Sequence, residues 1–285
     1  MKDHFVKSYS KINLFLIVGK KIQKKKLHKI QSLVHMLNLF DEIKIKRING
    51  NRDKVKFSGK FSKLVNNSNN TVLTSLSLLR KYRYINRKNF YSINIKKNIP
   101  VFSGLGGGSS NSAAIIKYFL KGRKLKKKEL KIFISKLGTD LMLFLNSNQV
   151  YQNNLFKIND IRFKKFFYFI IVYPFLKCST KKIYSSIKSY KSIKNFKYEF
   201  SSTNKVIRLL KTKENSLEKV VTRKYPKVQK ILSELEKINN CQISRITGSG
   251  SACFGLFLSQ KSAQIGISKI KKKFPKYWCV IAKTI

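Results

Sequence analysis

The chain has 285 residues and a formal net charge of +50, from 62 Lys and Arg against 12 Asp and Glu. This length suggests two domains, and a hydrophobic content of 42% excludes wholesale disorder. The longest apolar run, 166–176, is interrupted by Pro174 and is shorter than the about 20 residues of a transmembrane helix. The segment from Met1 to Ser8 lacks the apolar core of a signal peptide. We therefore expect a cytoplasmic protein with no membrane partner.

The positive charge has two interpretations. A nucleic acid or an anionic membrane would be attracted to such a chain. Alternatively, the composition reflects a genome rich in A and T, because Lys far outnumbers Arg and because Asn, Ile, Phe and Tyr are also abundant. The lysines are spread along the whole chain rather than gathered in one arm, which favours the second interpretation. We expect no specific nucleic-acid partner.

The cysteines predict neither a zinc site nor disulfides. Cys178, Cys241, Cys253 and Cys279 form no closely spaced pair, and no histidine lies near them in the sequence. Zinc sites need ligands at short, regular spacings. Scattered cysteines in a cytoplasmic chain are typical of reduced thiols in the core.

The first half of the chain mixes strand and helix patterns. Apolar runs and alternation predict strands at 12–18, 43–48, 53–58 and 91–95, with a short strand at Val150 and Tyr151. Helical periodicity predicts helices at 71–82, 109–120 and 127–137. A basic loop is expected from Lys20 to Lys29, and Asn49-Gly50-Asn51 indicates a hairpin. The first domain is predicted to span 1–157.

The second half shows the same mixture, which indicates a second α+β domain at 158–285. Strands are predicted at 166–173, 242–247, 252–258 and 277–283. Helices are predicted at 181–188, 203–211, 215–222, 226–237 and 260–273.

A glycine-rich segment that leads into an apolar helix is the strongest local signal. Its residues are Pro100, Val101, Phe102, Ser103, Gly104, Leu105, Gly106, Gly107, Gly108, Ser109 and Ser110. Glycines let the backbone approach an anion, and the first turn of a helix favours phosphate. No Lys-Ser/Thr follows the glycines, and the dinucleotide spacing GxGxxG fails at Ser109. A flexible loop is the alternative, but the abrupt passage into the helix favours phosphate binding.

Three further features are ambiguous when each is taken alone. Asp140 adjoins the apolar Leu141 and could act as a general base if a cation keeps it ionised, or it could be a solvated turn residue. Lys11 precedes the first strand and could pair with a carboxylate, or it could be a surface lysine. The stretch from Arg245 to Phe254 could be a tight turn between strands or a second glycine loop that lines a site.

Taken together and in order, these features resemble the GHMP kinase superfamily. The resemblance lies in Lys-Ile-Asn-Leu from Lys11, Gly-Leu-Gly-Gly-Gly-Ser-Ser from Gly104, and Thr-Gly-Ser-Gly from Thr247. Three more landmarks are similar to a member of the superfamily that acts on a cytidine diphosphate ester: His28-Lys-Ile-Gln-Ser-Leu33, Leu39-Phe-Asp-Glu42 and Leu137-Gly-Thr-Asp140. The resemblance runs from about residue 8 to the end, and it is most specific in the first half.

The resemblance implies an α+β, two-domain GHMP kinase fold. The N-terminal domain would resemble domain 2 of ribosomal protein S5 and bind ATP, while the C-terminal domain would be ferredoxin-like. The active site would lie in the cleft between the domains. The expected cofactor is ATP, with Mg²⁺, and the expected oligomeric state is a monomer or a homodimer.

The resemblance also implies the reaction and the role of each residue. The γ-phosphoryl group of ATP would move to the tertiary 2-hydroxyl of cytidine diphosphate methylerythritol, in the non-mevalonate route to isoprenoid precursors. Asp140 would take the hydroxyl proton, and Lys11 would keep Asp140 ionised and orient the hydroxyl. The glycine-rich segment would cradle the phosphates, and Lys97 would lie near adenine. The residues expected to bind the substrate are Asn13, His28, Tyr184, Gly248, Ser249 and Gly250.

The sequence departs from the family pattern at Leu27, Met142 and Ser103. Leu27 replaces an aromatic residue that stacks on cytosine, which implies a loss of about 1–3 kcal/mol of binding free energy.

Two alternatives remain for the function: another small-molecule GHMP kinase, such as a homoserine kinase, or a degenerate kinase fold that binds RNA or anionic surfaces through its charge. His28 and the glycine-rich segment count against the first, and Lys11 and Asp140 count against the second.

Overall fold

The computed structural model describes residues 3–22, 27–155, 157–161, 163–193 and 202–285. Residues 23–26 of the predicted basic loop lie outside this described part. The strands are β1 (His4–Lys21), β2 (His28–Ile48), β3 (Lys54–Ser58), β4 (Phe90–Lys96), β5 (Gln149–Asn154), β6 (Lys157–Asp160), β7 (Tyr168–Tyr173), β8 (Ile243–Ile246), β9 (Cys253–Phe257) and β10 (Trp278–Lys283). The helices are α1 (Thr71–Lys81), α2 (Gly107–Leu120), α3 (Lys127–Leu137), α4 (Leu141–Leu145), α5 (Thr180–Ser185), α6 (Thr203–Thr212), α7 (Glu218–Lys224), α8 (Pro226–Glu236) and α9 (Gln260–Lys273), with a 3₁₀ turn at Ser62–Leu64.

The chain divides into two compact units whose segments alternate along the sequence. Unit 1 comprises Met1–Ser10, Leu39–Val101 and Gly106–Asn146, and unit 2 comprises Lys11–Asn38, Phe102–Leu105 and Ser147–Ile285. Strands β1 and β2 pair with each other and contribute residues to both units. The sequence-based boundary after residue 157 stays a prediction.

In unit 1, β4 lies between β2 and β3. It pairs antiparallel with the last part of β2 and parallel with β3, so the hairpin predicted at Asn49-Gly50-Asn51 is wrong. The reason is the burial of apolar side chains along β4. Ile93 pairs with Ile45 of β2 and Val55 of β3, and all three are buried. A direct β2–β3 hairpin would leave β3 without this central partner.

The helices of unit 1 have well-defined starts and pack against one another. The Asn70 side chain caps α1 by accepting hydrogen bonds from the amides of Val72 and Leu73 at 3.1 and 3.0 Å. Helix α2 starts after Gly106, whose φ of 76° needs glycine. Helix α1 packs on α2 and α3, and α2 packs on α4. The predictions for α1 and α3 are confirmed, whereas α4 was not predicted.

Unit 2 contains a four-stranded antiparallel sheet in the order β10-β7-β9-β8. Helices α8 and α9 pack against this sheet. Gly266 allows the close approach of α9, because a Cβ there would lie 2.7–2.8 Å from side-chain atoms of Ile238 and Ile170. The first part of β2 pairs with β5, and β5 pairs with β6, which was not predicted.

No helix in the described ranges has both the length and the apolar character that a membrane crossing requires.

Candidate functional site

Lys11, one of the two predicted catalytic residues, is buried in unit 2. Lys11 is only 3% exposed, and its ammonium donates a hydrogen bond to the side-chain oxygen of Asn13. The backbone amide of Lys11 donates to the carbonyl of Leu105, within the glycine-rich segment, at 3.0 Å. The structure therefore joins the start of the first predicted motif to the middle of the second.

Hydrogen bonds from both its side chain and its backbone hold Asn13 in place. Its amide nitrogen Nδ2 donates to Ser32 Oγ at 2.9 Å, and Ser32 Oγ donates to the carbonyl of Phe15 at 2.6 Å. Its backbone amide donates to Thr247 Oγ1 at 3.1 Å. Because Nδ2 is committed to Ser32, Oδ1 is the atom left to accept from Lys11. Asn13 thus positions the ammonium of Lys11.

The second glycine loop lies against the same ammonium. Gly248 has a φ of 56°, and a Cβ there would come within 3.2 Å of Lys11 Nζ. The Gly250 amide closes the turn by donating to the Thr247 carbonyl at 2.9 Å. The Ser249 hydroxyl lies 3.0 Å from that of Thr180. The structure thus brings Lys11, Asn13 and Gly248 together.

The glycine-rich segment packs on the second glycine loop at Gly104. The φ of Gly104 is 82°, and a Cβ there would lie 2.1 Å from the carbonyl oxygen of Thr247. The amide of Ala252 donates to the carbonyl of Ser103 at 3.1 Å. Glycine is required at this close approach of two backbones.

Asn215, which the sequence analysis missed, holds the second glycine loop from the other side. Its side-chain amide donates to the carbonyls of Ile246 and Gly248 at 3.0 and 2.9 Å, and its Oδ1 accepts from the amide of Leu217 at 3.0 Å. Asn215 is 3% exposed. No local pattern marks this residue, because its partners lie about thirty positions later in the chain.

Two charged residues, the buried Arg245 and the partly buried Glu218, support the strand that leads into this loop. Arg245 donates to the carbonyls of Leu14, Leu210 and Lys213. Glu218 accepts from the backbone amide of Ile246 at 2.9 Å. Burial raises the pKa of Glu218 and lowers that of Arg245, and the attraction between opposite charges opposes both shifts.

His28 lies in a ring cluster within unit 2. Its Nδ1 is 3.2 Å from the carbonyl oxygen of Gly19. The predicted neighbour Tyr184 has its ring centroid 5.7 Å from that of His28. A second ring, that of Tyr190, lies closer, at 5.2 Å. Tyr190 was missed, because the lysine- and serine-rich sequence around it is typical of a surface loop.

The remainder of the glycine-rich segment forms the start of α2 in unit 1. The first helical residue is Gly107, and no acidic residue occurs in the first turn. Ser110 is turned inward: its hydroxyl donates to the carbonyl of Tyr9 at 2.6 Å and lies 2.7 Å from that of Ser8. The amides of this first turn are the groups that can receive an anion.

Lys97, expected near adenine, has a buried side chain. Its ammonium forms an ion pair with Asp41 and donates to Asn111 Oδ1 at 3.0 Å. Burial lowers the pKa of Lys97, and the carboxylate of Asp41 opposes that shift. The ammonium is thus already engaged within unit 1, and contact with adenine stays a prediction.

Asp140 belongs to unit 1, at the start of α4. It occupies the N-cap position, with a φ of −63°, and its carbonyl accepts from the amide of Leu143 at 3.0 Å. Asp140 is half-buried and lies two residues after Gly138, the C-cap residue of helix α3. Its role as a base and its pairing with Lys11 stay predictions.

No preformed metal cage is present in the part of the chain that the structure describes, since no three His, Cys, Asp or Glu side chains there are grouped to hold an ion. All four cysteines are free thiols.

Comparison with known proteins agrees with the motif-based resemblance. The GHMP kinases N terminal domain family matches residues 70–145, and the GHMP kinases C terminal family matches 199–276. A 4-diphosphocytidyl-2-C-methyl-D-erythritol kinase of Pelagibacter ubique (strain HTCC1062) is 34% identical over 291 residues, covering 100% of both chains.

Solved structures confirm the α+β GHMP kinase fold. A crystal structure of 4-(cytidine 5'-diphospho)-2C-methyl-D-erythritol kinase has a TM-score of 0.73 at 19% identity, covering 98% of this chain and 99% of that one. Homoserine kinase from Cytophaga hutchinsonii has a TM-score of 0.69 at 16% identity, covering 100% and 95%. These scores are too similar to separate the two kinases, so the full-length sequence identity makes that distinction. The chain therefore belongs to the GHMP kinases and, within them, to the family of 4-diphosphocytidyl-2-C-methyl-D-erythritol kinases.

Proposed function

We propose that this chain transfers the γ-phosphoryl group of ATP to the 2-hydroxyl of 4-(cytidine 5'-diphospho)-2-C-methyl-D-erythritol. The observation that carries the proposal is the buried ammonium of Lys11, which Asn13 orients beside Gly248. Burying an ammonium is costly unless it has partners. A lysine held in this way, at the start of the Lys-Ile-Asn-Leu motif, supports a role in chemistry rather than in solubility.

In this proposal Asp140 and Lys11 both act on the acceptor hydroxyl. Asp140 accepts the hydroxyl proton, and Lys11 keeps Asp140 ionised and orients the oxygen for attack. Phosphoryl transfer depends mainly on positioning and charge neutralisation, so neither side chain needs to form a covalent bond to the phosphoryl group.

ATP binds through the glycine-rich segment. The amides at the start of α2 receive its phosphates, and the left-handed backbone at Gly106 gives them access. A Mg²⁺ ion bound together with ATP would supply charge neutralisation for the phosphates. No side chain is assigned to it.

The cytidine end of the substrate binds at His28 and Tyr184, and Gly248, Ser249 and Gly250 line the acceptor site near Asn13. The proposal also places the enzyme in the cytoplasm. Its four free thiols support a reducing compartment.

The test is ADP release from Mg-ATP with three candidate acceptors: the cytidine diphosphate ester, L-homoserine and mevalonate. We expect turnover with the first alone, and phosphorus NMR of the product should show a new phosphate monoester on the tertiary carbon. Turnover with L-homoserine instead would assign the chain to a different GHMP kinase reaction. No turnover with any acceptor, in a folded protein that binds ATP, would favour the degenerate fold.

A further inference from the structure

Asp41 is a completely buried carboxylate that no step of the proposed reaction uses. It lies on β2 between the more exposed Phe40 and Glu42, so its side chain points to the inner face of the sheet in unit 1. Its Oδ1 accepts from the backbone amides of Asn98 and Ile99 at 2.8 and 2.9 Å. This carboxylate therefore fixes the turn that leads from β4 into the glycine-rich segment.

The other carboxylate oxygen holds a cation beside α2. Asp41 Oδ2 accepts from the Lys97 ammonium and, at 2.9 Å, from the side-chain amide of Asn111. Asn111 Oδ1 accepts from Lys97 in turn, at 3.0 Å. A Cβ on Gly107 would lie 3.2 Å from Lys97 Nζ. The buried ammonium therefore lies next to the first residue of α2, where the helix has unpaired backbone amides.

The same cluster ties the first turns of α2 to β1. Asn111 Nδ2 also donates to Ser8 Oγ at 2.9 Å, and Ser8 Oγ lies 2.7 Å from Ser110 Oγ. Ser110 in turn donates to the carbonyl of Tyr9. Asp41 is the only anion among these groups, and it contacts both Lys97 and Asn111. Buried ion pairs are weak contributors to stability compared with apolar packing, so the placement of this pair under a helix N-terminus needs a different explanation.

We propose that Asp41 is a positioning residue for ATP: it holds the Lys97 ammonium beneath the first turn of α2 and fixes the turn before the glycine-rich segment. This rests on the proposed function, in which the start of α2 receives the ATP phosphates. The carboxylate and the ammonium together carry little net charge, so the pair acts by fixing the backbone before the glycine-rich segment and the first turn of α2, whose amides receive the phosphates. Lys97 thereby acts on the nucleotide indirectly, through the first turn of α2, against which its ammonium lies.

The first test replaces Asp41 by Asn, which has the same shape but no charge. We expect the KM for ATP to rise about 10- to 100-fold, while the KM for the cytidine substrate stays within about twofold. Asp53→Asn is the matched control in the same unit. Asp53 is bound by Arg80 at 2.9 and 3.0 Å and accepts from the Tyr91 amide at 2.9 Å, but it does not contact the glycine-rich segment. We expect Asp53→Asn to lower the melting temperature and leave the KM for ATP unchanged.

The second test separates positioning from mere stability. Asp41→Asn leaves a buried ammonium without its anion and could unfold unit 1. The double variant Asp41→Asn/Lys97→Met removes both charges, so it should melt higher than the single variant yet keep the raised KM for ATP. A folded double variant with the wild-type KM for ATP would overturn the proposal. The readout is supplemented by calorimetric titration with Mg-ATP, which needs no acceptor. If the wild type binds Mg-ATP but does not turn over the cytidine substrate, the proposed function fails while the role of Asp41 is still measured.

Discussion

Two tyrosine rings lie against His28, and only Tyr184 could be expected from the sequence. Tyr190, at 5.2 Å, is the nearer of the two. The family pattern places an aromatic residue at the position of Leu27, and stacking of a base on an aromatic ring is worth about 1–3 kcal/mol. Tyr190 is therefore a candidate for the stacking surface that Leu27 cannot supply.

We expect Tyr190→Leu to raise the KM for the cytidine substrate about tenfold and to leave the KM for ATP unchanged. Steady-state kinetics with each substrate varied in turn measures both. The matched control is Tyr277→Leu, which removes a ring that stacks on Phe274 at 5.3 Å elsewhere in unit 2. An unchanged KM for the cytidine substrate in Tyr190→Leu would exclude Tyr190 from the base site.

His35 is expected to lower the stability of the folded protein at acidic pH. It is completely buried beside Phe167, and burial lowers its pKa to about 3. Protonation therefore favours the unfolded chain, whose histidine has a pKa near 6.5. The free energy of unfolding therefore decreases as pH falls below about 6.5, by up to about 1.4 kcal/mol per pH unit for this group. His35→Leu should flatten the dependence of unfolding free energy on pH between 6.5 and 4.5, whereas exposed His4→Leu should not. Equal slopes in all three proteins would contradict this.

At the scale of elements, the contact between the two glycine loops requires a residue without a Cβ at position 104. Gly104 and Gly122 have nearly the same φ, 82° and 85°, but only Gly104 has backbone within reach of a Cβ. Alanine at either position should cost about 1 kcal/mol for the left-handed backbone. At Gly104 the clash with the Thr247 carbonyl adds to this.

We therefore expect Gly104→Ala to lose about 3 kcal/mol or more of unfolding free energy, against about 1 kcal/mol for Gly122→Ala. Urea denaturation of the two variants measures the difference directly. Similar losses in both variants would mean that the loops can move apart without cost.

The elements also show what could be predicted from local sequence and what could not. The ends of α3 and α9 follow from local periodicity and capping, because those signals lie within the helix itself. The partner of β3 does not, because it depends on apolar side chains of β4 that come after α1. The site divides in the same way. Lys11, Asp140 and the glycine loops could be assigned roles from their motifs. Asp41 also lies in a landmark, Leu39–Glu42, but its role, like that of Asn215, depends on contacts with residues 31–70 positions away.

At the scale of the whole molecule, the net charge of +50 sets the response to salt. Repulsion among the surplus cations destabilises the folded state, and the Debye length falls from about 30 Å at 0.01 M to about 8 Å at 0.15 M salt. We expect the melting temperature to rise over this range of sodium chloride. Sucrose at equal osmolarity is the control for solute exclusion. A melting temperature that falls steadily with sodium chloride would contradict the account of self-repulsion.

The central claim is that Asp140 takes the proton from the acceptor hydroxyl. The most direct measurement is the rate of ADP release from Mg-ATP with the cytidine substrate, for the wild type, Asp140→Asn and Asp160→Asn. Asp160 is an exposed carboxylate at the end of β6 and serves as the control. We predict that kcat falls at least about 100-fold in Asp140→Asn and stays near the wild-type value in Asp160→Asn. A folded Asp140→Asn variant that turns over at the wild-type rate would contradict the claim.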